Sequence, residues 1–272
     1  MKKETVEGVE GAFVIRNALT AKECDSLSKS VQFLVERNDA AIRSRIAAVK
    51  GGGDKDHRRR PSQHHTPCRL EQASLRVLCS RLRPFFPCRA GPASKFVLAS
   101  PGHEVSSFLR LYDYQEGEFS SPHYDRSFSV NEKAAPHTKG GRLLQFSAYS
   151  LLFYLTDAFE GGHTTFFPKH GSGTRDSASE AASEDDISSS SSSSSSSKRK
   201  RSRRGNTDKD TEVDYTAAVS VEPRTGDVLV FPHGKQPGCY PDPLHEGSLV
   251  RTGRKTIIRT DVMFCCPKNG ES

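Results

Sequence analysis

From residue 105 onward the chain is a succession of short apolar runs, separated by glycine, proline and aspartate. The runs read "SSFLRLYDY", "FSAYSLLFYLTD", "HTTFF", "AAVSVEP", "GDVLVFP" and "RKTIIRTDVMF". Their aromatic and β-branched residues and their length are typical of β-strands. Since the helical patterns all lie before this series, the order predicts an antiparallel barrel or sandwich with helices packed on one side.

Two amphipathic helices are expected before these strands, after a short strand at "FVIRNAL". The first should cover about 21–37, because Thr20 and Glu23 form a capping box at its start. Its apolar positions at helical spacing are Cys24, Leu27, Val31 and Leu34. The second lies in "RLEQASLRVLCSRLRPFF" and should end near Pro84 and Pro87. Its apolar face consists of Leu75, Leu78, Cys79 and Leu82.

The segment between the helices, residues 51–68, is predicted to be a polar loop. It contains three histidines and one cysteine, which could suggest a zinc site: His57, His64, His65 and Cys68. The spacing matches no common zinc-binding pattern, and a single cysteine is few for a structural site. The loop is therefore expected to bind no zinc, and its arginines either contact a substrate or have no role.

A low-complexity segment, residues 171–214, has hardly any apolar side chain and includes ten serines in a row. Without apolar burial to offset backbone entropy, we expect it to be a disordered insertion in a hairpin loop. Six basic residues in "KRKRSRR", 198–204, lie within it and form part of the net charge of +7. Such a tethered cluster either has no function or is a nuclear-import signal or a weak contact for nucleic acid.

The remaining residues, about 230, are enough for one hydrophobic core. No apolar run approaches the roughly 18 residues of a membrane span, and no secretory signal is evident. The seven cysteines are odd in number and no pair is spaced Cys-x-x-Cys. An intracellular protein, cytoplasmic or nuclear, with free thiols and no membrane contact is therefore expected.

The stretch "SSPHYDRSF" places His123 and Asp125 two residues apart, so that both side chains point to the same side of a strand. A third candidate ligand is His245, in "DPLHEGSLVRTGRK". Two histidines and one carboxylate form the facial triad of non-haem Fe(II) oxygenases, which leaves three positions open. A basic residue on the strand after His245 could bind a carboxylate of a 2-oxo acid. Alternation places Lys255 and Arg259 on one face of that strand and leaves the choice between them open.

Four motifs together resemble the catalytic domain of prolyl 4-hydroxylase-type Fe(II)/2-oxoglutarate dioxygenases. They are "YDYQEGEFSSPHYD", "LLFYLTDAFEGGHTTFFP", "GDVLVFPH" and "LHEGSLVRTGRKTIIRTDVMF", in the family's order. The resemblance spans 105–266, about 60% of the chain. It implies a mainly β fold, with a double-stranded β-helix (jelly-roll) core and flanking N-terminal helices. Residues 1–104 would then support, within the same domain, a core over 105–266 that the segment 171–214 interrupts.

The resemblance also implies the site and its chemistry. His123, Asp125 and His245 would bind Fe(II), and Lys255, ten residues after the distal histidine, would bind 2-oxoglutarate, with Tyr114 lining the same pocket. The implied reaction consumes 2-oxoglutarate and dioxygen, releases succinate and carbon dioxide, and hydroxylates a protein or small-molecule substrate. The family further implies a peptidyl proline as substrate and ascorbate as the reductant that restores the iron.

The chain departs from the family in two places. His163 stands in "EGGHTTF" where the family often has glutamate, a position that does not bind iron, and Thr164 beside it is expected to make a secondary cosubstrate contact. The stretch "PHGKQPGCYPDPLHEG" is longer than the common form, and His233 at its start is expected to lie behind the ligands or to have no role. Two other functions stay open: a catalytically silent binding module and a nucleic-acid demethylase with the same chemistry.

Overall fold

The computed structural model describes residues 1–30, 65–69, 72–132, 143–167, 218–234 and 236–266. The helices are α1, described over 21–30, and α2 (Gln72–Leu82), which a 3-10 turn follows at Arg83–Phe85. The strands are β1 (Lys2–Thr5), β2 (Phe13–Arg16), β3 (His65–Arg69), β4 (Val97–Leu98), β5 (Phe108–Tyr114), β6 (Ser120–His123), β7 (Ser129–Glu132), β8 (Leu143–Tyr154), β9 (Phe159–Gly161), β10 (Thr164–Phe167), β11 (Val219–Val221), β12 (Val228–Pro232), β13 (Leu244–Gly247), β14 (Val250–Gly253) and β15 (Lys255–Cys265).

The described strands form a large and a small antiparallel sheet and a separate two-stranded sheet. The large sheet has the order β1-β2-β12-β8-β15-β5-β3, with β4 and β7 paired to β15 and β8. The small sheet has the order β11-β10-β13-β6, and β9 pairs with β14 beside it. Neighbours such as β12 and β8 are far apart in sequence, so the chain alternates between the sheets as a jelly roll does. The predicted fold, mainly β with flanking helices around a double-stranded β-helix, is confirmed.

The large sheet is covered on both faces, which explains why its central strands are apolar without interruption. On β12, Val228 and Val230 belong to the cluster that packs against the helices, whereas Leu229 and Phe231 face the small sheet. The Phe231 ring meets Phe166 of β10 edge to face, with ring centroids 5.2 Å apart. Each such fully buried side chain stabilises the fold by about 1.5–3 kcal/mol.

Both predicted helices are present. At the start of α1 the Thr20 hydroxyl accepts a hydrogen bond from the Glu23 backbone N–H, and the Glu23 carboxylate accepts one from the Thr20 backbone N–H. This is the capping box that the sequence predicts. The end of α1, expected near residue 37, lies outside the described residues. Helix α2 ends at Leu82, two residues before Pro84, as expected.

The prediction of a polar loop over 51–68 is wrong at its end. Residues His65–Arg69 form β3, which pairs with β5 in the register Pro67↔Arg110. Pro67 has no N–H to donate and so resembles a strand breaker in the sequence, but β3 lies at the edge of the sheet, where proline is tolerated. His57 and His64 lie outside the described residues.

Strands β10 and β11 pair antiparallel, with Thr164 opposite Val221, so the connection between them is a hairpin as expected. The serine-rich segment 171–214 and its basic cluster 198–204 belong to this connection and lie outside the described residues. No helix within the described ranges has the length and apolarity needed to cross a membrane. The six cysteines whose side chains are described, all except Cys68, form no disulfide with one another.

Candidate metal centre

The pairing of β6 with β13 brings two distant histidines together. His123, the last residue of β6, lies opposite His245 of β13 in the strand register. Their ring centroids are 4.4 Å apart and the rings are inclined by 51°. The register shifts just beyond His245, and such irregularities often re-aim side chains near functional sites. The small sheet therefore places both imidazoles at one position, although 122 residues separate them in the sequence.

Asp125 follows β6 by two residues and completes the cluster. Its Oδ1 lies 3.6 Å from Nε2 of His123, and its Oδ2 lies 3.7 Å from Nε2 of His245. One ligand atom from each of the three side chains lies within 4.8 Å of the others. Asp125 and His245 are buried, at 4% and 5% exposure, whereas His123 is the open member, with 42% of its side chain exposed.

Backbone carbonyls determine which nitrogen of each imidazole faces the centre. Nδ1 of His123 lies 2.7 Å from the carbonyl oxygen of Ser121, and Nδ1 of His245 lies 3.1 Å from that of Pro243. Because a carbonyl oxygen only accepts, each Nδ1 must carry the proton and donate it. Nε2 of each ring therefore faces Asp125, and in the neutral ring it presents a lone pair there, the arrangement that metal-binding histidines usually have. The Asp125 carboxylate raises the pKa of His123, so a metal would replace a proton at this Nε2.

Asp125 is held as a carboxylate. Burial opposes its charge, but the Arg259 guanidinium and the His245 imidazole outweigh this effect, so that the pKa of the Asp125 carboxyl lies below its usual range. Nη1 of Arg259 lies 2.7 Å from Oδ1, and the Ser150 hydroxyl donates to Oδ2. Burial lowers the pKa of His245 to about 4, so its imidazole is neutral near pH 7.

These residues fit a divalent metal ion. Oδ1 of Asp125 is buried and accepts no well-directed hydrogen bond from a described residue, so it retains a lone pair for a metal. Two neutral imidazoles and one carboxylate would hold a divalent cation on one face and leave the other face open. The exposed side chain of His123 places that open face towards solvent.

Lys255, at the start of β15, is 2% exposed and lies in the same cleft as the three ligands. Among the described residues its Nζ makes one hydrogen bond, to the carbonyl oxygen of Gly162 at 2.6 Å, and no ion pair. Burial lowers the pKa of this ammonium group from 10.5 to about 7. An isolated buried cation is costly, so this position is suited to an anion that none of the described residues supplies.

Tyr114 lies opposite Lys255 in the pairing of β5 with β15. The Lys255 ammonium is 5.2 Å from the centre of its ring, and Tyr114 is 4% exposed. Burial raises the pKa of Tyr114, so its hydroxyl stays protonated and can donate. Thr164 also lines the cleft, and its hydroxyl lies 2.8 Å from the Tyr154 hydroxyl.

Three basic residues lie on β15 or directly before it, and their surroundings differ: Arg254, Lys255 and Arg259. Lys255 and Arg259 both line the cleft, as alternation along the strand predicts. Arg254 points away, and its Nε donates to Oδ1 of Asp113 at 2.6 Å. Arg259 is paired with Asp125, whereas Lys255 has no anionic partner among the described residues. The two basic residues that alternation places on one face thus differ in whether a described carboxylate already pairs with them.

The other two histidines near the motifs differ in their surroundings. His163 does not belong to the cluster of metal-binding side chains. His233 is 1% exposed and contacts two serines of β8, Ser147 and Ser150, behind Asp125. The sequence interpretation missed both serines, because isolated serines in an apolar strand give no signal until the strand pairing is known.

Comparisons with known proteins gave matches in structure only. No protein-family model matches the sequence, and the search of curated proteins gave no match. The chain is similar to a viral collagen prolyl hydroxylase from Paramecium bursaria Chlorella virus 1, solved as a 2-oxoglutarate complex (14% identity, 94% of this chain and 96% of that chain, TM-score 0.41). It is similar to a Pseudomonas putida prolyl-4-hydroxylase (12% identity, 95% and 94%, TM-score 0.40) and to an oxidoreductase of the 2-oxoglutarate-Fe(II) oxygenase family from Burkholderia pseudomallei (12% identity, 83% and 79%, TM-score 0.35).

The proteins found in this way are of the class that the sequence motifs resemble. The likeness is distant, and the chemistry of the site rests on its own geometry.

Proposed function

We propose that this protein is an Fe(II)- and 2-oxoglutarate-dependent dioxygenase that hydroxylates an organic substrate. One observation carries the proposal: a cluster of two histidines and one carboxylate shares a cleft with a fully buried lysine that has no anionic partner among the described residues. The cluster supplies a metal site with open positions, and the lysine supplies an anion site. A ligand that spans both needs a chelating end and a carboxylate end, which are the two ends of 2-oxoglutarate.

His123, Asp125 and His245 would hold Fe(II), which when bound together with 2-oxoglutarate activates dioxygen for hydroxylation and releases succinate and carbon dioxide. The chain's own contribution is orientation. The carbonyl oxygens that accept from the two Nδ1 atoms fix the ring planes and leave Nε2 free to coordinate. The low pKa of Asp125 keeps its carboxylate available for the metal without competition from protons.

Lys255 would bind the distal carboxylate of 2-oxoglutarate. In a site closed to solvent, one ammonium–carboxylate pair is stronger than the same pair in water, because little screening is left. Tyr114, which keeps its phenolic proton, and Thr164 line the same cleft and can add hydrogen bonds to that carboxylate. The cosubstrate would thus be held at its distal end by Lys255 and at its other end beside the metal ligands.

The substrate would enter on the side of His123. This histidine and its neighbour Tyr124 are both more than 40% exposed, whereas the other ligands are buried. A peptidyl proline is the first substrate class to test, and this choice rests on the sequence resemblance alone. Ascorbate would serve as reductant on the same grounds.

The proposal is tested by measuring succinate formed from 2-oxoglutarate by protein purified without oxygen and supplied with fresh Fe(II). Wild type should form succinate, and Asp125→Ala should form none above background. Equal succinate formation by the two proteins, or none by either, would overturn the proposal. The second outcome is the one that a silent binding module predicts. Consumption of a methylated base would favour the demethylase.

Gly162 gives a sharper test of the anion site. Its φ is +62°, and an added Cβ would lie 3.1 Å from Cδ of Lys255 and 2.9 Å from the Phe159 ring. We expect Gly162→Ala to displace the lysine side chain and to weaken 2-oxoglutarate binding about tenfold. A hydrogen bond to a charged group contributes about 1.5–3 kcal/mol, and a displaced lysine would lose part of that energy. Isothermal titration calorimetry measures this affinity.

The matched control is Gly117→Ala. Gly117 has a φ of +82°, and an added Cβ would meet nothing within 4 Å. Both substitutions introduce the strain of a left-handed conformation, about 1 kcal/mol, but only that at Gly162 reaches Lys255. An equal change of 2-oxoglutarate affinity in the two variants would show that backbone strain, and not the lysine, is responsible.

A further inference from the structure

A buried hydrogen-bonded chain ends on the candidate metal ligand Asp125. Ser150 Oγ contacts Oδ2 of Asp125, and it lies 2.9 Å from Nδ1 of His233. Nε2 of His233 lies 2.9 Å from Oγ of Ser147. All four residues are buried, with Ser147 and Ser150 fully so. The chain therefore runs Ser147, His233, Ser150, Asp125 and has no access to solvent on the side away from the cleft.

The Asp125 carboxylate at the end of this chain determines where each proton lies. Asp125 is a carboxylate and only accepts, so the single hydroxyl proton of Ser150 must be donated to it. Ser150 can then only accept from His233, so Nδ1 of His233 carries the proton. Nε2 of the neutral ring is left as acceptor, and Ser147 donates to it. Every donor in the chain therefore points towards the metal-binding carboxylate.

The backbone is shaped to make this chain possible. Two serines three residues apart on a regular strand would point to opposite faces. Strand β8 has a register shift here: Tyr149 pairs with Val262, whereas Ser147 pairs with Met263, which leaves Ala148 as an extra residue. Such a bulge brings Ser147 and Ser150 to one face. The carbonyl oxygen of Ala148 accepts from the backbone N–H of His233 at 2.9 Å.

The same serines hold both ends of the loop that carries Asp125. The backbone N–H of Phe128 donates to Oγ of Ser147 at 3.0 Å, and Ser150 donates to Asp125 itself. His233 bridges the two serines. Nη1 of Arg259 lies 2.7 Å from the other carboxylate oxygen, and Nη2 of Arg259 donates to Ser150 Oγ at 3.3 Å. The loop that carries Asp125 is thus hydrogen-bonded to β8 at Ser147 and at Ser150, and the His233 imidazole contacts both serines.

We infer that Ser150 and His233 are positioning residues for the metal, with His233 acting through the Ser150 hydroxyl. Nδ1 of His233 also lies 3.6 Å from Oδ1 of Asp261, beyond hydrogen-bond distance, so Ser150 is its nearer partner. The inference rests on the proposed function, since it assigns Asp125 to a metal. Ser150 holds the carboxylate in the orientation that faces both Nε2 atoms, and His233 holds the Ser150 hydroxyl in the orientation that donates. His233 is then a third histidine of the site that does not itself bind the metal.

The test measures Mn(II) affinity, by electron paramagnetic resonance of the free ion, in wild type, Ser150→Ala, His233→Leu and the double variant. We expect Ser150→Ala to bind Mn(II) about tenfold more weakly, the lower end of what loss of an outer-shell partner costs. His233→Leu should have a smaller effect of the same sign. The double variant should match Ser150→Ala, because His233 has no effect once the hydroxyl is absent.

Thr260→Val is the control for a purely structural effect. Thr260 is fully buried on β15, and its hydroxyl lies within hydrogen-bond distance of the carbonyl oxygens of Ser106 and Phe108, outside the chain described above. It should lower the melting temperature as Ser150→Ala does, without weakening Mn(II) binding. Two results would overturn this inference but not the proposed function. One is an Mn(II) affinity of Ser150→Ala equal to that of wild type. The other is that His233→Leu lowers Mn(II) affinity as much in the Ser150→Ala background as it does in wild type. Absence of Mn(II) binding by wild type would overturn the proposed function and the inference with it.

Discussion

Replacement of His123 by alanine is expected to abolish metal binding and succinate formation while leaving the melting temperature nearly unchanged. His123 contributes one of three ligand atoms, so its loss should weaken Mn(II) binding by more than the roughly 10- to 100-fold that an outer-shell partner costs. Its side chain is 42% exposed and makes one backbone hydrogen bond, so little packing is lost. Metal titration and thermal unfolding of the same samples separate the two effects.

His123 is a better test of the metal site than Asp125 for this reason. Removal of the Asp125 carboxylate leaves Arg259 buried without this partner, and breaking such a buried pair costs about 3–5 kcal/mol. A loss of activity in that variant would then have two explanations. His163→Ala is the matched control, because His163 precedes Thr164, which lines the cleft, but does not belong to the cluster. Metal affinity equal to wild type in His123→Ala, or lost equally in His163→Ala, would contradict the assignment.

Lys255→Met is expected to weaken 2-oxoglutarate binding by roughly 10- to 100-fold and, unusually, to stabilise the protein without ligand. The first effect follows from loss of a charged hydrogen-bond donor in a buried site. The second follows because the ammonium is buried without an anionic partner among the described residues. An apolar side chain of similar length removes that cost, so the free energy of unfolding should rise.

The stabilisation should depend on pH in a defined direction. The pKa of Lys255 is about 7 in the folded chain against 10.5 for an exposed lysine, so between these values the unfolded chain binds more protons. Wild type therefore gains stability as the pH rises from about 7 to about 10, and its cost is fully present below pH 7. The advantage of Lys255→Met should be largest at or below about pH 7 and should disappear towards pH 10.

Chemical unfolding of both proteins across this pH range measures the difference in free energy. Arg254→Met serves as control, since Arg254 is the adjacent cation but points away and pairs with Asp113. It should leave 2-oxoglutarate affinity unchanged and show no such pH-dependent gain. A stability difference for Lys255→Met that stays constant with pH, or wild-type affinity for 2-oxoglutarate, would rule out Lys255 as the anion site.

Much of this arrangement was predictable because it depends on local pattern. Short β-rich runs predicted the sheets, and the capping box at Thr20 and Glu23 predicted the start of α1. The three candidate ligands could be grouped because the spacing within a motif and the order of motifs can both be read from the sequence: His123, Asp125 and His245. Lys255 was separated from Arg259 only by resemblance, and the structure shows that Arg259 already has a carboxylate partner.

The features that were not predictable depend on pairing between distant strands. Strand β3 contains Pro67, which is acceptable because none of the described strands lies beyond β3 in the sheet. Ser147, Ser150 and His233 form one chain only because β8 has a bulge at Ala148 and lies next to β12. A bulge reverses the alternation that sequence reasoning relies on, so no period in the sequence could have placed both serines on one face.

The most direct test of the central claim is a crystal structure of the protein with Mn(II) and 2-oxoglutarate under conditions that exclude turnover. The account predicts one anomalous peak bonded to Nε2 of His123, the carboxylate of Asp125 and Nε2 of His245. It predicts the distal carboxylate of 2-oxoglutarate within hydrogen-bond distance of Nζ of Lys255. A metal bound elsewhere, or 2-oxoglutarate held without contact to Lys255, would contradict it.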